Sequence, residues 1–273
     1  METMTSSILT IPVRAGMFCW LEHHSSDPAR ASQFWSQLLG GAAQEIPFPD
    51  GTVMRMHERE GHPMFSMMPC PNYVEARGSH WLPTIAVDDI DAAHARALAA
   101  GARSLLEPHD NPFGRASVLE DPQGAAIGLF TAAAGKTDGI NPHGHGFMCW
   151  CELVTPDPEA SARFYATLCG WECVDRAMSS GSSGFTIKIA QLGGHPIASI
   201  FKRCTDDAHP WPGARWCPYL QVDRVEPLAA RITELGGSLP CLAMPIEGVG
   251  EWQSLNDACG CETALLQPIA RGN

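Results

Sequence analysis

The sequence predicts an α+β fold: a tandem duplication in which four βαβββ units form two curved mixed sheets with helices outside. Three observations predict it. An internal repeat runs the length of the chain, the same order of strands and helices recurs within each copy, and a small, glycine-rich stretch separates the copies.

The repeat comes first because it fixes the architecture. FCWLEHHSSDPARASQFWSQLLGG at 18–41 aligns with MCWCELVTPDPEASARFYATLCGW at 148–171, pairing Trp20 with Trp150, Glu22 with Glu152, Asp27-Pro28 with Asp157-Pro158 and Phe34 with Phe164. Gly61-His62-Pro63 then pairs with Gly194-His195-Pro196, Trp81 with Trp216, and Asp121 and Gly124 with Asp257 and Gly260. The offset grows only in loops, as a duplication leaves it. The divisions are an N-terminal arm over 1–16, a first domain over 17–131, a linker over 132–146 and a second domain over 147–270.

Each element follows from local chemistry. Alternating apolar residues over Met17–His24 predict a strand. Asp27-Pro28 supplies an N-cap and a first-turn proline, and Ala31, Phe34, Trp35, Leu38 and Leu39 make the apolar stripe of a helix that Gly40-Gly41 ends. Strands follow at Ala43–Ile46, Thr52–Glu58 and Pro63–Met68. The second unit repeats the order with strand Leu82–Val87, helix Asp89–Ala100 and strands near Ser104, Ser117 and Ile127.

Composition excludes several classes. A formal charge of −12 leaves no basic footprint for nucleic acid. No run approaches the ~20 apolar residues of a membrane helix, and the first residues read as an arm rather than a secretion signal. Eleven cysteines is an odd number with no C-x-x-C pair, which points to reduced, buried thiols and a cytoplasmic location. Cys149 and Cys151, two apart on a strand, are placed together under the helix.

The openings W-x-E-x₄-DP-x-A-x₃-F-[YW], with V-D-D-[IV]-x-A and L-x-D-P-x-G later in each copy, resemble the vicinal-oxygen-chelate superfamily of glyoxalases, bleomycin-resistance proteins and dioxygenases. The resemblance covers about 17–131 and 147–268. It implies a small-molecule cleft, and in many members a divalent metal held by side chains of the first, fifth and last strands. Counting from the motifs puts those positions at Trp20, Leu82 and Gly128, and at Trp150, Cys217 and Ala264. Five of the six cannot bind an ion, so the sequence predicts no cofactor and no metal ligands. A relocated divalent-metal site on Glu152, Cys217 and Glu262 is the alternative.

Strand parity points Trp20, Glu22 and His24, and in the second copy Trp150 and Glu152, into the cavities, with Cys217, Tyr219, Gln221 and Glu262 beside them. His23 and His24, as neighbours on a strand, point to opposite faces. Glu22 and Glu152, beside tryptophans, are expected to have raised pKa values and, with Tyr219, to be the catalytic candidates. Alternatively each glutamate bonds a backbone amide or an arginine at the domain interface. Trp20, Trp150, Trp81, Trp216, Cys217, Gln221, Glu262, His195 and His62 are the substrate-binding candidates, with Trp211 and Trp252 nearby.

Three functions fit. The first is a metal-independent lyase, isomerase or cyclase moving a proton on a small hydrophobic or aromatic, natural-product-like substrate. The others are a non-catalytic, antibiotic-sequestering binder, and a metal-dependent glyoxalase or dioxygenase with relocated ligands. The expected partner is a small molecule, with the chain a pseudo-dimeric monomer or a homodimer.

Overall fold

A computed structural model describes residues 14–48, 50–72, 77–111, 113–133, 144–180, 183–204 and 213–269. The first copy runs β1 (Phe18–Ser25), α1 (Pro28–Leu39), β2 (Ala42–Pro47), β3 (Val53–Arg59), β4 (His62–Pro69), β5 (His80–Ala86), α2 (Ile90–Ala99), β6 (Arg103–Asn111), β7 (Gly114–Glu120) and β8 (Ala126–Ala132). The second runs β9 (Met148–Thr155), α3 (Pro158–Cys169), β10 (Glu172–Ser180), β11 (Ser183–Leu192), β12 (His195–Lys202), β13 (Arg215–Gln221), α4 (Glu226–Glu234), β14 (Met244–Ile246), β15 (Gly250–Asn256) and β16 (Glu262–Pro268). The four βαβββ units are as the sequence predicts. The arm and linker fall largely outside the described residues, as do Trp211 and His143.

Each copy forms one eight-stranded mixed sheet, ordered β2-β3-β4-β1-β5-β8-β7-β6 and β10-β11-β12-β9-β13-β16-β15-β14. The centre is therefore the antiparallel pair β1–β5, or β9–β13, flanked by parallel pairings to β4 and β8, or to β12 and β16. The two units of a copy meet at that central pair, and their cavity-facing side chains converge there.

The helices start where the sequence places their caps. Asp27, Asp89 and Asp157 accept the N–H of Arg30, Ala92 and Ala160. After α1 the chain turns through Gly41 at φ 93°, where a Cβ would lie 2.4 Å from the Glu58 carbonyl oxygen, so only glycine fits.

Outside the curl of each sheet, the helices and sheet backs of the two copies pack on each other crosswise. One core joins Phe18, Ile85, Ile90 and Ile127 of the first copy to Leu153, Tyr165, Trp171 and Trp216 of the second. The other joins Leu21, Trp35, Phe65 and Trp81 to Leu220, Ile232, Leu255 and Leu265. The cavities thus open away from the seam.

A β-bulge changes one expectation. In β1 the register steps from Phe18↔Ile85 to Trp20↔Thr84, and in β9 from Met148↔Leu220 to Trp150↔Tyr219, leaving Cys19 and Cys149 as extra residues. Phe18 rather than Cys19 joins the helix-side core, and Cys149 packs with the cavity-side group around Trp150 while Cys151 stays under the helix. The two sulfurs of that C-x-C therefore sit on opposite faces. The Cys19 and Cys149 thiols reach the Thr84 and Tyr219 carbonyls at 3.5 and 3.4 Å, and burial pushes both up to about 12.

Candidate functional site

The same small network stands in each cavity. Trp20 Nε1 donates to Ser66 Oγ at 2.9 Å, and Ser66 Oγ donates to Glu22 Oε2 at 3.2 Å. In the second copy Trp150 Nε1 donates to Ser199 Oγ at 3.0 Å, and Ser199 Oγ to Glu152 Oε2 at 2.9 Å. Parallel pairing places Ser66 opposite Glu22 and Ser199 opposite Glu152, which is why the bonds repeat. Each glutamate is thus bonded by a serine of the neighbouring strand rather than by a backbone amide. Ser66 and Ser199 were not singled out in the sequence, although a serine matched in both copies three residues after a Gly-His-Pro turn was a usable signal.

The cavities then diverge. In the first, His24 Nε2 lies 2.5 Å from Glu22 Oε1, His24 Nδ1 lies 3.2 Å from His80 Nε2, and His80 Nδ1 lies 2.8 Å from the Gly78 carbonyl oxygen. A carbonyl only accepts, so His80 carries its proton on Nδ1. Burial and the neighbouring His24 hold the His80 pKa down to about 3, so its Nε2 is a bare acceptor and His24 donates from Nδ1. Burial pushes the Glu22 carboxyl up, but His24 and Ser66 outweigh it and the net shift is downward, contrary to the sequence expectation.

In the second cavity Val154 replaces that histidine. Burial pushes the Glu152 carboxyl up, and the nearby Glu262 adds to it against the opposing pull of Ser199, Tyr219 and Arg215, so the net shift is upward. Tyr219 lies directly across from Trp150, its ring 6.2 Å from Trp252, and burial with the Glu152 charge raises its phenol well above the usual range. Cys217 lies across from Glu152, buried, with its thiol likewise raised. Glu262 pairs with Arg215 Nε at 2.5 Å.

The remaining candidates lie elsewhere. Trp81 and Trp216 share the parity of Ile85 and Leu220 and are buried on the helix side, with Nε1 donating to Thr263 Oγ1 and Tyr165 Oη. They are core residues of the seam, on the face away from Glu22 and Glu152, and both also line a small cleft there. His62 and His195 open β4 and β12, four residues and roughly 13 Å of strand before Ser66 and Ser199. Gln221 ends β13, where its backbone pairs with Gly146 and Phe147. On the cavity face of the first sheet Leu82, Val118 and Ala126 pack together.

The positions a chelate would use do not fit one. Pairing aligns Trp20, Thr84 and Gly128 in one row and Trp150, Tyr219 and Ala264 in the other. Leu82 and Cys217 belong to the adjacent row with Glu22 and Glu152. Neither row supplies three ligand side chains, and Glu262 is engaged with Arg215. Among the described residues, His23, Asp257 and Cys261 alone draw three ligand-type atoms within 4.8 Å of one another, and they lie at the seam.

The glyoxalase-like domain description matches residues 20–130 and again 150–261. The chain belongs to the glyoxalase-like family. It is 27% identical over 260 residues to the Mycobacterium tuberculosis protein named "Putative glyoxylase CFP32", covering 93% of this chain and 96% of that one. It is 28% identical over 242 residues to the anthracycline biosynthesis protein DnrV of Streptomyces peucetius, covering 82% and 83%. Its fold is similar to that of a mutant 4-hydroxymandelate synthase from Streptomyces coelicolor, at TM-score 0.63, 15% identity and 96% and 95% coverage. This glyoxalase-like protein thus shares its fold with vicinal-oxygen-chelate proteins. No helix among its described residues is long and apolar enough to cross a membrane.

Proposed function

We propose that the second cavity catalyses proton transfer on a small aromatic or hydrophobic carbonyl compound, with Glu152 as the base and without a metal. The observation that carries this reading is the Trp150–Ser199–Glu152 network. It holds a carboxylate of raised pKa against an indole, and such a group is a better base near neutral pH than an ordinary carboxylate. Glu152 takes a proton from the carbon beside the carbonyl and returns it to that carbon or its neighbour. In this reading Tyr219, hydrogen-bonded to Glu152, turns its phenol to the developing oxyanion once Glu152 has taken the proton. The aromatic walls of Trp150, Tyr219 and Trp252 suit a planar substrate. Kinship with an anthracycline biosynthesis protein favours a natural-product-like aromatic over a small aldehyde.

The test uses 1-tetralone and 2-tetralone in D₂O, with deuterium incorporation followed by NMR and binding by tryptophan quenching. The expected result is exchange above buffer that falls by about 100-fold or more in Glu152→Gln, with quenching unchanged. Exchange that survives Glu152→Gln overturns the assignment. Quenching with no exchange in the wild type supports the sequestering function instead.

A further inference from the structure

We infer that the seam between the two copies holds a structural transition-metal site, zinc-like in its ligands, formed by His23, Asp257 and Cys261. Its three ligands are none of the residues assigned a role in either cavity, and it does not rest on the function proposed for them.

The three side chains come from distant parts of the chain. His23 is on β1 of the first copy, facing the helix side, while Asp257 and Cys261 flank the turn between β15 and β16 of the second. All three are buried, at 0%, 3% and 0% exposure. A nitrogen, an oxygen and a sulfur within 4.8 Å of one another is a donor set that suits zinc. Around it stands a second layer of the kind that orients ligands. Trp35 Nε1 donates to Asp257 Oδ2 at 3.2 Å, and the backbone N–H groups of Cys259 and Cys261 donate to Oδ1 at 2.8 and 2.9 Å. Cys261 also lines a cleft with Arg77, His80, Arg215 and Glu262, holding about 30 Å³ of free space. The cleft borders the proposed site on its Cys261 side, and the fourth position is left to a water or another donor.

The duplication supplies an internal control. At the matching place Asp121 accepts the Gln123 and Ala125 N–H groups and the Tyr165 hydroxyl, reproducing the same carboxylate seat. There Leu153 stands for His23 and Ala125 for Cys261, so the seat is kept without ligands. The fold therefore does not require a histidine or a cysteine here. In the ion-free protein His23 Nε2 is spent on Asp257 Oδ2 at 2.8 Å, while its Nδ1 is buried with no hydrogen-bond partner.

Binding balances simply. The Cys261 thiol loses its proton to solvent, and the His23 proton moves from Nε2 to Nδ1. The ion then takes the place that proton held between His23 and Asp257. A divalent ion with one thiolate, one carboxylate and a neutral imidazole is uncharged overall, which a buried site requires.

The test uses the full chain stripped with a chelator, then titrated with Co²⁺ and Zn²⁺ alone. One equivalent of Co²⁺ should bind and give thiolate-to-cobalt absorption in the near ultraviolet with visible bands of tetrahedral intensity. Zn²⁺ should displace it and raise the thermal midpoint. His23→Leu/Cys261→Ala, which copies the other seat and so keeps its packing, should abolish the absorption and the zinc shift while remaining folded by circular dichroism. Trp35→Phe should weaken binding about 10-fold. No stoichiometric cobalt spectrum in the wild type overturns the site, as does a spectrum that persists in the double variant.

Discussion

At the residue scale, the two cavity glutamates hold one place in the repeat and opposite electrostatic states. Glu22 is three-quarters covered and bonded to His24, so Glu22→Gln weakens the contact of a buried imidazole and should cost about 1–3 kcal/mol in urea unfolding. Glu152 has no such partner and sits near Glu262, so Glu152→Gln should leave stability within about 1 kcal/mol of wild type or raise it. Equal losses from the two substitutions would show that the cavities are electrostatically alike. The pH dependence has a definite sign. The folded Glu152 carboxyl titrates above its unfolded value, so the folded state holds the extra proton between the two. Its contribution to stability is full below the unfolded pKa and lost as pH rises through the folded one. Activity that needs the carboxylate changes the other way, falling as pH drops through that raised pKa. An acidic limb of the exchange rate at the ordinary glutamate value would count against Glu152 as the base. The doubled Trp-x-Glu was legible in the sequence, but the divergence was not. It depends on contacts of His24 and His80, whose counterparts are Val154 and Arg215, and, like the matched Ser66 and Ser199 bonds, these are made only through strand pairing.

At the element scale, what the sequence specifies locally is what the structure keeps most faithfully. The Asp-Pro caps of α1 and α3 each bond the N–H three residues on, so Asp27→Ala and Asp157→Ala should each cost about 1 kcal/mol. The caps lie on different helices and share no partner, so the double variant should show the sum within about 0.5 kcal/mol by denaturant unfolding. A much larger double effect would mean that the caps are coupled. The bulges at Cys19 and Cys149 were hidden by the same logic that made the strands legible. Alternation assigns faces only while pairing is regular, and one extra residue shifts everything before it to the opposite face. Trp81 and Trp216 show the converse. Their parity with Ile85 and Leu220 already placed them on the helix side, and their aromatic character suggested a cavity wall that the sheet does not give them.

At the scale of the whole molecule, the duplication makes one folding unit rather than two. Each core takes residues from both copies, and the Asp of each Asp-x-x-Gly turn accepts a side-chain bond from the other copy's first helix, Tyr165 on Asp121 and Trp35 on Asp257. The sequence shows both motifs but cannot show that they meet, because the partners lie 44 and 222 residues apart. A copy on its own would expose the apolar back of its sheet and deprive these carboxylates of their side-chain donors, so the halves should not unfold independently. Ile85→Ala in the first copy tests this. It removes a fully buried side chain from a core that contains Trp171 and Trp216 of the second copy, and should cost about 2–5 kcal/mol. Calorimetry should still show a single transition at a lower midpoint. By hydrogen exchange, amides of β9 and α3 in the second copy should lose as much protection as those of β5 and α2 in the first. If protection in the second copy stays at its wild-type level, the copies open separately and the crosswise core does not couple them.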